Sequence, residues 1–442
     1  MMKYFGTDGI RGRANEKLTP EMAYKVGRYL GYELAKKSGD KFLIGRDPRK
    51  SGQMLEAALA SGLCASGCDV DLVGVVVTPL VSFLLENNGY VGGIMISASH
   101  NVYSDNGLKV MDAKGLKIDP FLQSKIEQYI DGEIEIPYRM DDRIGIINYR
   151  EDLSKSYIDY LKAQFNGDLS KYKIAIDAAN GSASRLAHLY EDFGLNVTAI
   201  HNQPDGLNIN DNCGSTHAKT LQEFMHKKDF DLGVSFDGDG DRLMIIDNQG
   251  NIIDGDGIIY IISNYYKKYA ELENDTVVVT VMSNIGLHKA LNNNGIKTVI
   301  TDVGDKNVFE SMQNDNHIIG GEQSGHIILK KYSNMGDGFV VSLKLLSIMA
   351  KENKSISQLM QDLDIFPQLL VNVVVKNTKE ILDSQKLKDV ISNVSERLHG
   401  EGRVLVRASG TEPLIRVMVE AKTLDLCQGY VDEIVAVVNN KN

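Results

Sequence analysis

Residues 231–247 read DLGVSFDGDGDRLMIID, in which two short apolar segments flank the acidic run Asp237–Arg242. The flanks predict two strands joined by a turn. An EF-hand loop is one alternative, but it needs glycine at its sixth position and glutamate at its twelfth, where this chain has Arg242 and Asn248. Carboxylates without Cys or His nearby indicate a hard cation, with Mg²⁺ the first choice. A solvated acidic turn is the simpler alternative.

Strand and helix patterns alternate on both sides of this stretch. Residues 91–97 predict a buried strand that ends at Ser99, and units of strand, polar loop and helix begin again at Lys173 and Thr276. This predicts α/β domains with mainly parallel sheets, whose chemistry gathers beyond the carboxyl ends of the strands. The pattern after Pro367 predicts a smaller α+β domain, with a strand over 369–376, a helix over 379–398, two strands around 408–413 and a helix over 424–438.

Polar and turn-rich segments divide the chain into four predicted domains, covering residues 1–150, 151–252, 253–366 and 367–442. The first three are predicted as α/β domains. A second acidic run, Asp254-Gly255-Asp256-Gly257, is interpreted as a turn that leads into a helix from Ile258.

Composition narrows the class of protein. The 442 residues carry a net charge of −11, which argues against a nucleic-acid partner. The first residues show no signal-peptide pattern and the longest apolar run, 72–85, is too short to span a bilayer, so we expect a cytoplasmic protein without a membrane partner. The four cysteines are interpreted as buried free thiols. Several cations in glycine-rich turns indicate a small anionic ligand, namely Arg11, Arg46, Arg49, Lys50, Arg242 and Arg407.

Four further loops have the composition of a site. Ser99-His100 follows a strand, and its hydroxyl needs a base or a metal to become a nucleophile. Residues 407–413, RASGTEP, have the composition of a phosphate-binding nest or of an ordinary hairpin turn. Residues 321–326, GEQSGH, suit sugar hydroxyls or an amine, or are merely structural. Residues 5–12, FGTDGIRG, join glycine turns to Arg11, and no nucleotide-binding fingerprint is present.

Together these loops resemble one family, the α-D-phosphohexomutases. The matching motifs are GTDGIRG at 6–12, SASHN at 97–101, DGDGDR at 237–242, GEQSGH at 321–326 and RASGTEP at 407–413. Their order spans the whole chain, and the first and fourth are most similar to the bacterial branch that acts on glucosamine phosphates. The resemblance implies three related α/β domains with mixed sheets and a C-terminal α+β domain, similar to the TATA-binding protein, around a central cleft. It assigns the phosphoserine, metal, sugar and phosphate loops to the four domains in that order.

The resemblance also implies roles for individual residues. Ser99 would carry a phosphoryl group and, with Asp237, Asp239 and Asp241, would bind one Mg²⁺. The other catalytic residues would be His100, Lys109, Arg242, His326 and Arg11. The substrate-binding residues would be Glu322, Ser324, Arg407, Ser409, Gly410, Thr411 and Arg416. Two positions depart from the family pattern: Val102 stands where proline is common, and Lys306 where arginine is common.

The activity that the resemblance implies is the interconversion of glucosamine 6-phosphate and glucosamine 1-phosphate, on the route to UDP-N-acetylglucosamine, a cell-wall precursor. The enzyme would be an isomerase that transfers a phosphoryl group within the substrate, with a sugar 1,6-bisphosphate as intermediate and activator. The partner is a small sugar phosphate, and a homodimer is expected from the family. Mutases for glucose or mannose phosphates, a Mg²⁺-dependent sugar phosphatase and a catalytically silent sugar-phosphate sensor are the alternatives.

Overall fold

The structure, a computed structural model, describes residues 2–165, 168–408 and 414–439. It divides into two compact units. The larger unit contains Met1–Val281 and Val299–Gln361, and the smaller contains Met282–Thr298 and Asp362–Asn442. In the part of the chain that is described, none of the helices has both the length and the apolar character that a bilayer span requires.

The first sheet of the larger unit is mixed. Its strands are β1 (Phe5–Gly6), β2 (Gly9–Arg13), β3 (Lys41–Arg46), β4 (Asp69–Val75), β5 (Gly92–Ile96), β6 (Asp105–Asp112) and β7 (Ile147–Tyr149), and its order is β1-β2-β6-β5-β3-β4-β7. The strands from β5 to β7 in that order are parallel, and β6, β2 and β1 extend the sheet in antiparallel pairs. The accompanying helices are α1 (Pro20–Leu34), α2 (Gly52–Ala65), α3 (Thr78–Asn88) and α4 (Pro120–Ile130).

The second sheet carries the acidic run. It contains β8 (Lys173–Asp177), β9 (Asn196–Ile200), β10 (Leu232–Phe236), β11 (Leu243–Ile246) and β12 (Ile252–Ile253), in the order β12-β11-β10-β8-β9. As predicted, the residues on either side of the run are strands, and β10 and β11 pair antiparallel. The helices of this region are α5 (Ser154–Gln164) and α6 (Ala218–Met225).

The third sheet has the order β14-β13-β15-β16, with β13 (Thr276–Thr280), β14 (Lys297–Thr301), β15 (Ile319–Gly321) and β16 (Ile327–Leu329). The helices are α7 (Gly255–Lys268), α9 (Asp305–Asn314), α10 (Gly338–Glu352) and α11 (Ile356–Leu359), while α8 (Ile285–Asn293) belongs to the smaller unit. Helix α7 begins three residues before the predicted Ile258, because the Asp254 side chain caps it by accepting hydrogen bonds from the backbone N–H groups of Asp256 and Gly257.

The smaller unit contains a three-stranded antiparallel sheet in the order β17-β19-β18. Its strands are β17 (Gln368–Val374), β18 (Arg403–Ala408) and β19 (Leu414–Glu420), and its other helices are α12 (Thr378–Leu382), α13 (Gln385–Arg397) and α14 (Leu424–Asn439). The single helix predicted over 379–398 is divided because Ser384 caps α13 by accepting from the N–H of Leu387. All four cysteines of the chain are free and buried, as predicted.

Candidate active site

Ser99 lies in the loop that follows β5, and it is fully buried. Its φ of +51° is in the left-handed region, which a non-glycine residue adopts only when its surroundings hold it there. The Ser97 hydroxyl contributes by accepting a hydrogen bond from the Ser99 N–H at 2.9 Å. The Ser99 hydroxyl donates to Asp237 Oδ2 at 2.5 Å. The structure therefore brings the predicted phosphoryl carrier against the first residue of the acidic run.

The turn between β10 and β11 gathers three buried carboxylates. One oxygen from each of Asp237, Asp239 and Asp241 lies within 4.8 Å of the others. Burial and the charges of Asp241 and Asp239 raise the pKa of Asp237 well above its usual range. Asp239 Oδ1 and Asp241 Oδ1 are buried without a hydrogen-bond partner among the described residues. Because unpaired buried carboxylate oxygens are costly, this donor set fits a hard divalent cation.

Close contacts across the site leave little room for other residues. A Cβ atom built on Gly238 would lie 2.6 Å from the Ser99 carbonyl oxygen. The loop after β8 also packs against this turn, since the Ser182 N–H donates to the Gly238 carbonyl at 2.8 Å. Only glycine fits at position 238 with the Ser99 loop in this place.

Lys109, on β6, balances part of the negative charge. Its Nζ donates to Asp239 Oδ2 at 2.7 Å and to Asp241 Oδ2 at 2.9 Å, and it lies 3.4 Å from Asp8 Oδ2. Burial by itself would lower the pKa of Lys109, but the charges of Asp239, Asp241 and Asp8 raise it well above its usual range. The Lys109 ammonium group is therefore a fixed positive charge in the site.

The donor groups of three predicted catalytic residues have unused hydrogen-bonding capacity. Arg11 pairs with Asp8, yet Arg11 Nε, Arg242 Nε and His100 Nδ1 are buried without a partner among the described residues. Burial lowers the pKa of His100 to about 4, and the charges of Arg242 and Arg11 act in the same direction. Two guanidinium groups and a neutral imidazole are thus available to an anion such as a phosphoryl group.

The predicted sugar loop connects β15 and β16 and is tied to the acidic turn. The Leu243 N–H, directly after that turn, donates to the Gly325 carbonyl at 3.2 Å. His326 is buried, and its Nε2 accepts a hydrogen bond from the Gly336 N–H at 3.1 Å, so the ring proton is on Nδ1, 3.8 Å from Asp241 Oδ1. Glu322 Oε1 accepts from the Gly304 N–H at 3.1 Å, and Ser324 is partly exposed on the same loop.

Arg49 holds the Ser99 loop in a way that sequence reasoning missed. Its guanidinium donates to the carbonyls of Ser99 at 2.8 Å, of Asn101 at 2.9 Å and of Asp105 at 3.1 Å, and also to that of Val102. Its Nε donates to a buried carboxylate, Asp47 Oδ2, at 2.8 Å. The expectation that this arginine handles an anionic ligand is therefore wrong, because these protein groups use its donors. The signal in the sequence was its position three residues after the end of β3.

Asn210 and Thr78 also support the Ser99 loop and the acidic turn, and the sequence did not predict either role. The Asn210 Nδ2 donates to the carbonyls of Ser99 at 2.8 Å and Asn101 at 2.9 Å. Thr78, the first residue of α3, donates through its hydroxyl to Asp239 Oδ2 and through its N–H to the Asp239 carbonyl at 2.9 Å. Both side chains connect segments that are distant in sequence, so neither belongs to a local motif.

The predicted phosphate loop belongs to the smaller unit. Arg407 and Arg416 are directly opposite each other on β18 and β19, and Arg416 Nε is buried without a partner among the described residues. Like charges at such positions repel, so an anion near them would be favourable. Three other predicted substrate-binding residues, Ser409, Gly410 and Thr411, lie outside the described residues.

Comparison with known proteins identifies the architecture. The chain matches the four domains described as phosphoglucomutase/phosphomannomutase α/β/α domain I at residues 2–136, domain II at 155–250, domain III at 254–366 and the C-terminal domain at 370–437. Among solved structures, a phosphoglucomutase/phosphomannomutase family protein from Burkholderia thailandensis has a TM-score of 0.83 at 23% identity, with 100% of this chain and 98% of that chain covered. For Aspergillus fumigatus N-acetylphosphoglucosamine mutase, in complex with GlcNAc-6P and magnesium, the TM-score is 0.72 at 17% identity, with 100% and 96% covered.

Curated relatives are similar over the full length. The chain is 47% identical to phosphoglucosamine mutase from Bacillus subtilis, with 100% of this chain and 99% of that protein covered. It is 47% identical to the enzyme of that name from Oceanobacillus iheyensis, with 99% of each covered, and 45% identical to that from Bacillus pumilus, with 100% and 99% covered. The predicted fold class and family are confirmed. The chain belongs to the phosphoglucomutase/phosphomannomutase family, the α-D-phosphohexomutases, and it is an isomerase with phosphoglucosamine mutases as full-length relatives.

Proposed function

We propose that the chain interconverts glucosamine 6-phosphate and glucosamine 1-phosphate by means of a phosphoryl group carried on Ser99. The observation that carries the proposal is the 2.5 Å hydrogen bond between Ser99 Oγ and Asp237 Oδ2. It joins the serine of one motif to the acidic triad of another. A serine that transfers phosphoryl groups needs concentrated positive charge beside it, and Lys109, Arg242 and the three carboxylates that can bind a cation lie at this point.

The charge balance of the site requires a cation once Ser99 is phosphorylated. A phosphoserine carries about −1.5 to −2 charges at neutral pH, and here it would stand beside three carboxylates. Lys109 and Arg242 offset part of this charge. One Mg²⁺ would be held by the phosphoserine and by Asp237, Asp239 and Asp241. When bound, it would neutralise charge on the transferring group.

The reaction consists of two transfers in opposite directions. In the first, the bond between Ser99 Oγ and phosphorus breaks while a sugar hydroxyl forms a new bond to phosphorus. The hydroxyl loses its proton, the serine oxygen gains one, and the product is a sugar 1,6-bisphosphate. In the second, the phosphate at the other sugar position returns to Ser99 by the reverse changes. The sugar must turn over between the transfers, so a trace of bisphosphate activates dephosphorylated enzyme.

The remaining predicted residues act on the substrate without accepting the phosphoryl group. The phosphate that is not reacting would be bound by Arg407 and Arg416, together with Ser409, Gly410 and Thr411. Glu322 uses Oε1 for the Gly304 N–H, and its Oε2 would pair with the sugar's ammonium or hydroxyl groups, as would Ser324. Lys109 and His326 would stabilise charge or move protons, and Arg11, His100 and Arg242 would contact the transferring phosphoryl group.

Three measurements on the purified chain test the proposal. With Mg²⁺ and a catalytic amount of glucosamine 1,6-bisphosphate, kcat/KM should be higher for glucosamine 1-phosphate than for glucose 1-phosphate or mannose 1-phosphate. Intact-mass and peptide analysis should place a substoichiometric phosphate on Ser99. Ser99→Ala should lose at least 10³-fold in kcat, because the covalent carrier is gone, and Ser97→Ala should retain the phosphate on Ser99.

The alternatives predict different outcomes. A glucose or mannose phosphate mutase would reverse the substrate preference. A phosphatase would release inorganic phosphate steadily without forming the isomer, and phosphate mapped to another residue would contradict the role of Ser99. A homodimer, a cytoplasmic location and the absence of a nucleic-acid partner remain predictions, the first to be tested by light scattering.

A further inference from the structure

Three metal-binding residue types converge outside the acidic triad. Asp177 ends β8, His201 directly follows β9, and Cys213 precedes a short 3₁₀ helix at Ser215–His217. One ligand atom of each lies within 4.8 Å of the other two. Among the described residues, two groups of metal-binding side chains have this spacing, namely this mixed trio and the acidic triad.

The carboxylate of this trio is held in place by backbone groups. Asp177 is fully buried, its Oδ1 accepts from the Ala179 N–H at 2.9 Å, and its Oδ2 accepts from the Gly214 N–H at 2.9 Å. Each carboxylate oxygen has a second lone pair. Asp177 is thus rigidly oriented and still able to bind a cation.

The imidazole and the thiol provide the other two donors. His201 Nδ1 lies 3.1 Å from Asp177 Oδ1, close enough for a hydrogen bond to this carboxylate. His201 also has a left-handed φ of +43°. Cys213 is a fully buried free thiol. An imidazole nitrogen and a carboxylate oxygen at this separation can share a proton, or they can bind one metal ion in its place.

We propose that Asp177, His201 and Cys213 form a second metal site, selective for a thiophilic divalent ion such as Zn²⁺. Zinc binds Asp oxygen and His nitrogen at about 2.0–2.2 Å and Cys sulfur at about 2.3 Å in a tetrahedral arrangement, which puts neighbouring oxygen and nitrogen ligands about 3.3 Å apart. The observed 3.1 Å is close to that separation. Three protein ligands leave the fourth position to water, and the His201 side chain, 30% exposed, gives the site access to solvent.

The donor chemistry separates this site from the acidic triad. Three carboxylates favour Mg²⁺, whereas a thiolate and an imidazole favour Zn²⁺ and Co²⁺. The site is also close to the support of the Ser99 loop, because Cys213 follows Asn210 by three residues. An ion bound here would hold the segment from which Asn210 reaches the Ser99 carbonyl.

The test uses Co²⁺ as a spectroscopic probe of the full chain, first treated with a chelator and then saturated with Mg²⁺. We expect one equivalent of Co²⁺ to produce a thiolate-to-cobalt charge-transfer band and tetrahedral d–d bands, and Zn²⁺ to abolish them. Cys213→Ser should remove the charge-transfer band, and His201→Gln should weaken Co²⁺ binding at least tenfold. Cys64→Ser, which changes another buried free thiol, and Asp239→Asn should both keep the bands.

The unfolding temperature provides a second test, which also applies to variants that fold poorly. Zn²⁺ should raise the unfolding temperature of the wild type and not that of His201→Gln, since an ion that binds the folded state stabilises it. The proposal is overturned if the wild type gives no thiolate band, if Cys213→Ser keeps the band, or if Zn²⁺ raises the unfolding temperature of both proteins equally.

Discussion

Replacing Asn210 by alanine tests whether the support of the Ser99 loop matters for catalysis. Asn210 is 4% exposed, and its Nδ2 donates to the Ser99 carbonyl at 2.8 Å and the Asn101 carbonyl at 2.9 Å. A neutral hydrogen bond contributes about 0.5–1.5 kcal/mol, so the two together contribute about 1–3 kcal/mol. Arg49 still donates to both carbonyls in the variant, so neither is left unpaired.

The expected kinetic effect follows from this range. If the energy of both hydrogen bonds holds Ser99 in its reactive position, kcat/KM should fall about 5- to 150-fold, because each 1.36 kcal/mol corresponds to a factor of ten. The fall should be in kcat, since Asn210 lies under the loop and makes no proposed contact with the sugar. The assay is the conversion of glucosamine 1-phosphate at saturating Mg²⁺ and bisphosphate.

Asn212 offers a matched control. Both asparagines have left-handed φ values, +57° for Asn210 and +52° for Asn212, so alanine meets the same backbone cost of about 1–2 kcal/mol at each. Asn212 is exposed and its amide donates to its neighbour Asp211. Asn212→Ala should therefore have this backbone cost without the loss of the two buried hydrogen bonds, and it should keep its kcat. Equal kcat values for the two variants would refute the reasoning, as would an Asn210→Ala effect confined to KM.

Three other substitutions test separate parts of the site and the fold. Asp239→Asn should raise the Mg²⁺ concentration for half-maximal activity at least tenfold or abolish turnover, and unchanged Mg²⁺ dependence would place the metal elsewhere. Glu322→Gln should reduce kcat/KM for glucosamine 1-phosphate by about 10- to 100-fold, because a charge-assisted hydrogen bond to the ammonium group is lost. The reduction for glucose 1-phosphate should be smaller. An equal loss on both substrates would contradict a role in amine recognition. Burial raises the pKa of Asp337, the N-cap of α10, to about 6. Ionisation of this carboxyl group therefore destabilises the folded state as pH rises from about 4 to 6, by at most about 3 kcal/mol. Calorimetry should show Asp337→Asn losing less stability than the wild type over that interval, and parallel curves would contradict the assignment.

Those parts of the site that are local in sequence could be predicted. Ser99 and Asp237 each belong to a short motif, and strand patterns on either side of the acidic run predicted the turn that the structure contains. Helix ends were less predictable, because Ser and Asp side chains also bond backbone groups in turns, and only the folded backbone shows that Ser384 and Asp254 cap a helix.

The supporting residues depend on tertiary proximity, which one sequence does not reveal. Arg49 contacts carbonyls about fifty residues further along the chain, and Asn210 reaches across more than a hundred residues to the same loop. A guanidinium after a strand is equally consistent with an anion site and with a structural clamp. Its burial and its partners decide between these, and both are properties of the folded chain.

The close approach of Gly238 to the Ser99 carbonyl limits how this enzyme can be recombined with its relatives. The serine loop comes from the first domain and the glycine from the second, and 2.6 Å between a built Cβ and that oxygen leaves no clearance for a shifted backbone. A chimaera that takes its first domain from one parent and its second from another has to reproduce this fit to within a few tenths of an ångström. Viable crossovers should therefore keep the first two domains from one parent, so that the pair is inherited as one block.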